Sequence, residues 1–158
     1  MSASGEPRPQ RRARRIAMSP AEVDEFLGAT RTCRLASVGA AGPHVTPLWF
    51  VWHEGSMWMQ SLTRSQRWTD LMRDPRVAVV VDDGEEYMEL RGVELRGEVA
   101  TVGEIPRVGA EDIPELTAVE AAFARKYLGG AEFGYDGRHG WLRLDPAKLV
   151  SWDFRKIP

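Results

Sequence analysis

Short apolar runs alternate with turn-forming segments through the first half of the chain. Cys33–Val38, His44–Trp52 and Met57–Leu62 are rich in β-branched, aromatic and other apolar residues. Segments bearing Gly, Pro or Ser separate these runs, at 39–43 and 53–56. Runs joined by tight turns predict consecutive antiparallel strands, a meander, rather than the alternation of strand and helix that builds a parallel sheet.

Three segments carry helical signals instead. A capping-box pattern at 19–22, with Pro at the first helical position, predicts a short helix that ends near Gly28. A second helix is predicted over 65–73, with Ser as its N-cap and an Asp-Pro pair after its last residue. A third is predicted over 116–128, where the pair Gly129-Gly130 ends it.

The remaining apolar segments predict further strands. Val77–Val81 is uniformly apolar, which is typical of a strand buried on both faces. Tyr87–Val102 alternates apolar and charged residues near its end and predicts a long strand or a bent pair with one wet face. Strands are also predicted at 141–144 and 149–154. Six or seven antiparallel strands with three short helices indicate a mainly β protein, and a small closed barrel removes exposed strand edges.

Charge is unevenly distributed along the 158 residues. The net charge is −2, yet residues 1–15 hold five arginines against one glutamate. We expect residues 1–17 to form a disordered, solvated Arg-rich tail and residues 18–158 to form one domain. The acidic remainder does not suit nucleic-acid binding, which requires a basic face.

Targeting signals are not apparent in the sequence. The basic N-terminus is not followed by the apolar stretch of a signal peptide, and no apolar run approaches the roughly 18 residues of a membrane span. The single cysteine, Cys33, is consistent with a reducing compartment. We therefore expect a cytoplasmic protein that does not associate with membranes.

The side chains suggest no familiar catalytic group. His44, His53 and His139 do not have metal-ligand spacing with one another or with Cys33, so we expect no metal site. No serine-hydrolase elbow, phosphate-binding P-loop or dinucleotide-binding glycine motif occurs. We assign no catalytic side chain, and if the protein is an enzyme, a cofactor is expected to supply the chemistry.

One candidate binding segment lies where the third predicted strand meets the second helix. It combines hydroxyl groups with two arginines, whose forked guanidinium groups suit phosphate oxygens. The free N–H groups of a helix N-terminus also favour an anion. A capped helix with surface arginines would explain the same residues. The candidates are Gln60, Ser61, Thr63, Arg64, Ser65, Gln66 and Arg67.

A second candidate segment lies on the strand that contains Pro47. Proline cannot donate to a strand ladder, so it indicates an edge or a bulge that could present backbone groups to a ligand. The six tryptophans of the chain fit a site for a flat ligand, although each also fits the core or a dimer interface. The candidates on this strand are Val45, Thr46, Pro47, Leu48, Trp49 and Phe50.

These segments, in this order, resemble the pyridoxamine 5′-phosphate oxidase superfamily. The similarity extends over about residues 19–155 and is strongest at Ser65-Gln66-Arg67, a Ser-x-(Lys/Arg) step followed eight residues later by Pro75-Arg76-Val77. Pro43–Phe50 and Arg96–Val99 complete the pattern.

The resemblance implies a six-stranded antiparallel split β-barrel that forms a homodimer, with two cofactors in clefts at the dimer interface. It implies that Arg67 holds the cofactor phosphate. Gln66 stands where the oxidase has another cation, and Arg64 is a possible substitute. Residues 45–50 would face the ring system, and Gln60-Ser61 would contact the ring or the ribityl chain.

The Trp-Phe-Val-Trp strand and the Arg- and Ala-rich composition resemble the F420-dependent reductases of this superfamily. The implied function is hydride transfer between the deazaflavin F420 and a small conjugated substrate. An FMN-binding oxidoreductase on the same fold is one alternative, and a non-catalytic cofactor-binding protein is another. A protein that acts through its Arg-rich tail is a further class.

Overall fold

Seven strands and three helices account for most of residues 5–158, the part of the chain that the computed structural model describes. Residues 1–4, where the predicted tail begins, lie outside the described residues. The strands are β1 (Thr32–Gly39), β2 (Gly42–His53), β3 (Ser56–Leu62), β4 (Arg76–Asp83), β5 (Arg91–Val102), β6 (His139–Leu144) and β7 (Lys148–Asp153). The helices are α1 (Pro20–Ala29), α2 (Gln66–Arg73) and α3 (Pro114–Tyr127), with single 3₁₀ turns at Arg14–Ile16, Tyr87–Glu89 and Phe154–Lys156.

The helix ends follow from local chemistry. At the start of α1, Ser19 Oγ accepts from the Glu22 N–H at 3.2 Å, and the Glu22 carboxylate accepts from the Ser19 N–H at 2.6 Å. This is the predicted capping box. After α3, Gly129 and Gly130 have φ of +64° and +81°, a left-handed backbone that glycine adopts without steric cost.

Six of the strands close into an antiparallel barrel. The order around its wall is β1, β2, β3, β6, β5 and β4, and β4 pairs with β1 to complete the ring. Strand β7 lies outside the ring and pairs with β5. The predicted mainly β class and the predicted six-stranded antiparallel barrel are both confirmed.

Strand β2 changes partner along its length, and this opens a gap in the barrel wall. Residues 42–49 pair only with β1, whereas residues 50–53 pair with β3. Among residues 5–158, no strand therefore lies beside this edge of β2 at residues 42–49. Pro47 lies in this half of β2, opposite Arg34 of β1, so the prediction that it marks an edge agrees with the structure.

The apolar core has two parts, one inside the barrel and one under α3. The interior residues include Leu35, Phe50, Met59, Val79, Leu95 and Leu142, all fully buried or nearly so. Helix α3 packs on the outside of β2, β3 and β6, through Val51, Trp58, Leu116, Val119, Phe123, Tyr127 and Trp141. The second part fixes the position of α3 next to the gap.

Two strand predictions need correction. Strand β4 is not buried on both faces of this chain, because a barrel strand has one interior face: Val77, Val79 and Val81 are buried, while Ala78 and Val80 are half-exposed outside. The long strand was expected to begin at Tyr87. Residues Tyr87–Glu89 instead form a 3₁₀ turn, and strand β5 begins at Arg91.

The N-terminal segment lies against the barrel over much of its length. The Arg8 N–H donates to the Ala147 carbonyl at 3.0 Å, and the Gln10 side chain accepts from the Ser151 N–H at 2.9 Å. The Met18 N–H donates to Ser151 Oγ at 2.9 Å. These contacts bring Arg8, Gln10 and Met18 next to β7 and the residue before it, and the disordered tail over residues 1–17 stays a prediction.

Candidate functional site

Helix α2 begins directly after β3 and stands beside the gap in the barrel wall. Ser65 caps it as predicted: its hydroxyl accepts from the Trp68 N–H at 3.1 Å and donates to the Leu62 carbonyl at 2.8 Å. The cap fixes the first turn of α2 relative to the end of β3. The side chain of Arg67, in that first turn, is therefore directed toward the gap.

Arg67 joins the three elements that border the gap. Its Nη1 donates to Thr46 Oγ1 of β2 at 2.6 Å, and its Nε donates to Ser61 Oγ of β3 at 3.1 Å. Three of the residues predicted from the sequence thus meet in one cluster of a guanidinium and two hydroxyls. We call Thr46, Ser61 and Arg67 the Arg67 cluster.

The charge of Arg67 is not neutralised by the chain. The side chain is half-buried, and within residues 5–158 it makes no ion pair with a carboxylate. Burial lowers the pKa of Arg67, and the Cys33 thiol nearby gives no compensation because burial raises its pKa to about 12. A partly desolvated cation without a counter-ion is costly, and an anionic ligand would remove that cost.

The polar lining continues along β2 from the Arg67 cluster. His44 lies on the same face as Thr46 and is paired with Ser37 across the β1–β2 ladder. The Nδ1 atom of His44 and the Oγ atom of Ser37 are buried, and neither has a hydrogen-bond partner among the described residues. Such groups are normally satisfied, so this end of the barrel has unused capacity for a polar ligand atom or a water.

Gln66 does not extend the Arg67 cluster. Its Nε2 donates to Asp70 Oδ1 at 2.8 Å, and Asp70 is only 2% exposed. Asp70 also lies 3.6 Å from the Arg73 guanidinium. The amide of Gln66 thus holds a buried carboxylate of its own helix, and Arg67 is the cation that faces the gap from α2.

Thr63 and Arg64 border a different cleft from the Arg67 cluster. The Thr63 hydroxyl donates to the Arg138 carbonyl at 3.2 Å, and Arg64 is exposed. This cleft has a volume of about 420 Å³ and is lined by Leu62, Thr63, Arg64, Ser65, Pro106, Gly137 and Arg138. Arg64 therefore belongs to this second cleft and not to the Arg67 cluster. A ligand long enough to reach the second cleft could contact it there.

The β2 candidates divide between the two faces of the strand. Thr46 and Leu48 are half-buried on the inner face, whereas Val45, Pro47 and Trp49 are exposed on the outer face. Gln60 of β3 is half-buried opposite Trp141. A ligand lying along the unpaired edge of β2 would be next to the inner-face and the outer-face residues of this strand.

Phe50 has no free group for a ligand. Its side chain is fully buried in the barrel. Its N–H donates to the Tyr127 hydroxyl at 3.0 Å, and its carbonyl accepts from the same hydroxyl at 2.8 Å. Phe50 therefore anchors the point where β2 changes partner, and we do not include it among the residues proposed to touch a cofactor.

Sequence reasoning missed Lys126 and Tyr127 at the end of α3 and Arg31 just before β1. The Tyr127 hydroxyl oxygen also lies 2.6 Å from the Arg31 carbonyl, so its single hydrogen is shared between this carbonyl and that of Phe50 and links β2 to the segment before β1. Lys126 Nζ donates to the carbonyls of Leu27 and Phe50 at 3.1 and 3.3 Å, and burial lowers its pKa to about 8. The spacing of Tyr127 and Phe123 indicates a buried helix face, but nothing local connects that face with β2.

Residues 5–158 contain no group of three or more His, Cys, Asp or Glu side chains arranged to hold a metal ion. No helix in the described part of the chain combines the length and apolar character needed to cross a membrane.

Solved structures with the same architecture come from several bacteria. A conserved hypothetical protein of Mycobacterium tuberculosis, Rv2991, is 31% identical with a TM-score of 0.78, covering 94% of this chain and 92% of that one. A FAD-binding protein of Mesorhizobium loti is 18% identical with a TM-score of 0.65, covering 85% and 93%. An F420 reductase is 24% identical with a TM-score of 0.57, covering 80% and 94%.

The family can be assigned from sequence as well as from architecture. No match was found among the curated proteins. Residues 19–153 match the family model described as pyridoxamine 5′-phosphate oxidase, which spans the whole barrel from α1 to β7. Given this span and the 31% identity to Rv2991 over nearly the full chain, the protein belongs to the pyridoxamine 5′-phosphate oxidase family of split β-barrels.

Proposed function

We propose that this protein is an oxidoreductase that binds the deazaflavin F420 in the gap beside β2 and passes hydride to a small conjugated substrate. The observation that carries this proposal is the half-buried guanidinium of Arg67, bonded to two hydroxyls and to no carboxylate. A cofactor phosphate supplies the missing anion, and Arg binds phosphate oxygens through two donors at once.

The residues around the gap fit a cofactor with a phosphate and a flat ring system. Arg67 would bind the phosphate, with the hydroxyls of Thr46 and Ser61 as additional donors. The unpaired edge at 45–49 offers backbone groups that can hydrogen-bond to the ring. Gln60 and Ser61 would contact the portion of the cofactor between the ring and the phosphate.

Bound F420 would supply the chemistry by carrying hydride on its ring. The chain's own contribution is to hold the ring in one orientation and to exclude water from its reactive face. No side chain in the gap is assigned a proton-transfer role. The protein therefore acts by positioning and by the electrostatic field of Arg67.

FMN is the second candidate cofactor, because the Arg67 cluster suits any single phosphate monoester or diester. Among relatives of the fold, one is an F420 reductase and another is a FAD-binding protein. Gln66 favours F420 over FMN in our proposal, because its amide is engaged by Asp70 and does not add a second cation beside the phosphate.

The deciding experiment is spectroscopic. The absorbance of the purified protein reports any co-purified flavin, and fluorescence anisotropy follows titration with F420 and, separately, with FMN. We expect saturable binding of F420 and weaker binding of FMN. Absence of saturable binding of both would refute the cofactor proposal, and tighter FMN binding would replace F420 by FMN.

Turnover separates an enzyme from a cofactor carrier. Reduced F420 bound to the protein is mixed with a panel of enones and quinones, and its reoxidation is followed under anaerobic conditions. An oxidoreductase accelerates reoxidation in proportion to its concentration, whereas a carrier binds F420 without that effect.

A second copy of the chain is part of this proposal. Val45 on the outer face of β2 is 64% exposed and lies in register with Ala36 of β1, which is in turn beside Ala78 of β4. Val38, on the same face of β1, is 43% exposed. An apolar row across three strands is typical of a protein interface.

The dimer is tested by sedimentation at several protein concentrations. We expect the wild-type chain to sediment as a dimer and Val45→Glu to sediment as a monomer with an unchanged circular dichroism spectrum. A monomeric wild type would contradict this part of the proposal.

A further inference from the structure

Trp49 presents a supported aromatic surface beside the gap. Its indole stacks on the ring of Tyr127, with centroids 4.3 Å apart and planes 10° from parallel. Tyr127 is only 9% exposed, whereas Trp49 is 45% exposed. The face of the indole that points away from Tyr127 therefore meets solvent, and a flat ligand can stack on it.

The surface is held rigidly. The Tyr127 hydroxyl is bonded to the carbonyl of Arg31 at 2.6 Å and to the N–H and carbonyl of Phe50 at 3.0 and 2.8 Å. Phe123 also contacts both rings, at centroid distances of 6.1 Å from Trp49 and 4.8 Å from Tyr127. A ring system fixed before binding loses little conformational entropy when a ligand stacks on it.

A cation lies beside this stack. The guanidinium carbon of Arg31 is 5.7 Å from the Trp49 centroid and 5.2 Å from the Tyr127 centroid. The guanidinium therefore contacts both rings of the stack. Among residues 5–158, no carboxylate pairs with Arg31 and its side chain makes no hydrogen bond.

The position of the stack relates it to the Arg67 cluster. Trp49 and Thr46 are three residues apart on β2, or about 10 Å at the rise of a strand. Their side chains point to opposite faces, and both adjoin the edge that has no neighbouring strand. A cofactor anchored at Arg67 and extended along this edge would bring its far end next to Trp49.

We propose that Trp49 and Arg31 recognise a planar, conjugated compound that carries a carboxylate. The conjugated system stacks on the outer face of Trp49, and the carboxylate pairs with the guanidinium of Arg31. Calling this compound the hydride acceptor rests on the function proposed above. In an acceptor whose double bond is conjugated with this carboxylate, hydride from reduced F420 would go to the carbon β to the carboxylate, and solvent would protonate the α carbon. F420 would be left oxidised.

Binding is tested without turnover, by isothermal titration calorimetry of the full chain with three probes. Trans-cinnamate is planar and anionic, trans-cinnamamide is planar and neutral, and cyclohexylacetate is anionic but not planar. At low ionic strength we expect cinnamate to bind about tenfold more tightly than either of the others, the scale of one charge-assisted contact. Added salt should reduce the preference over cinnamamide.

Variants of Arg31 and Trp49 test the carboxylate contact and the aromatic stacking separately. Arg31→Gln should abolish the preference for cinnamate and leave cinnamamide affinity unchanged, while Arg31→Lys should retain part of it. Trp49→Leu should weaken both planar probes. Arg34→Gln is the matched control, since Arg34 is an exposed arginine of β1 that pairs with Asp82 at 2.9 Å. It should change neither affinity.

Each outcome bears on the proposal. Equal affinity for cinnamate and cinnamamide, a preference that survives Arg31→Gln, or no binding of any probe would overturn it. The titration is done with and without F420. If the probes behave as expected while F420 does not bind, the cofactor proposal fails and this recognition stands; if F420 binds and the probes show no preference, the reverse holds.

Discussion

Arg67 of α2 and Thr46 of β2 are joined by a hydrogen bond of 2.6 Å across the gap in the barrel wall. The bond connects a helix to a strand edge that has no strand beside it. A ligand phosphate at this place would contact the guanidinium and the hydroxyl together, so in the proposed function these two residues would hold one end of the cofactor.

Removal of the Arg67 charge should weaken cofactor binding. Arg67→Ala is expected to cost about 1.5–3 kcal/mol of binding free energy for F420 or FMN, the scale of hydrogen bonds to a charged group. Anisotropy titrations of the wild type and the variant measure the difference. Arg125→Ala, an exposed arginine on α3, is the control and should bind as the wild type does. Unchanged affinity in Arg67→Ala would remove this residue from the phosphate site.

The same residue should have the opposite effect on the stability of the cofactor-free protein. Arg67→Met keeps the apolar stem and removes a half-buried charge that has no carboxylate partner. We expect the free energy of unfolding to increase by about 1 kcal/mol in phosphate-free buffer, because burial of an unpaired charge is unfavourable. Urea denaturation followed by circular dichroism measures it. A clear loss of stability would mean that the bonds to Thr46 and Ser61 outweigh the buried charge.

The hydroxyl of Tyr127 should contribute more than its ring to the stability of the folded protein. Tyr127→Phe leaves the stack on Trp49 but removes the partner of the Phe50 N–H and of the Arg31 carbonyl, while Lys126 Nζ still donates to the Phe50 carbonyl. We expect a loss of about 1–3 kcal/mol in the free energy of unfolding, the cost of buried groups left without partners. Phe123→Leu is the comparison, because it alters the same aromatic cluster without touching those backbone groups. If Tyr127→Phe is as stable as the wild type, another group or water satisfies them.

Lys126 should make stability depend on alkaline pH. Burial lowers its pKa from 10.5 to about 8 in the folded protein, so between these values the unfolded chain holds a proton that the folded chain has released. Stability rises with pH wherever the unfolded state binds more protons. The wild type should therefore gain about 1–2 kcal/mol relative to Lys126→Met between about pH 8 and about pH 10.5, after allowance for partial solvent screening.

The pH prediction is measured as a difference, by urea denaturation of both proteins at each pH. Cys33 and Tyr127, whose pKa values burial raises to about 12, titrate in both proteins and largely cancel. A constant difference, or one that changes in the other direction, would show that the Lys126 ammonium is not destabilised in the folded chain.

Local chemistry made much of the fold predictable. The Ser19 and Ser65 caps, the glycine pair after α3 and the meander of β1 to β3 depend on residues close in sequence, and each is present. The proline at 47 likewise indicates an edge or a bulge from its own chemistry alone. Such features need only neighbouring residues to form, and a sequence displays them directly.

The parts that sequence could not predict depend on distant contacts. Tyr127 reaches Phe50 across 77 positions, and Arg67 reaches Thr46 across 21. The buried face of α3 was visible in its spacing, but not the strands on which it packs. The contacts of Met18 and Gln10 with Ser151 likewise join residues more than 130 positions apart.

The prolines of β2 also disfavour a strand partner on the side of β2 that faces the gap. Phe50 directs its N–H and carbonyl toward Tyr127 and the residue before β1, and backbone groups alternate in direction along a strand. The nitrogen of Pro47 therefore faces the gap, and so does that of Pro43, four residues earlier. Neither nitrogen carries a hydrogen, so two positions on the gap side of β2 offer no donor to a neighbouring strand. This shortage of donors is a property of the covalent structure, and it disfavours closure of the gap by another strand whether or not a ligand is bound.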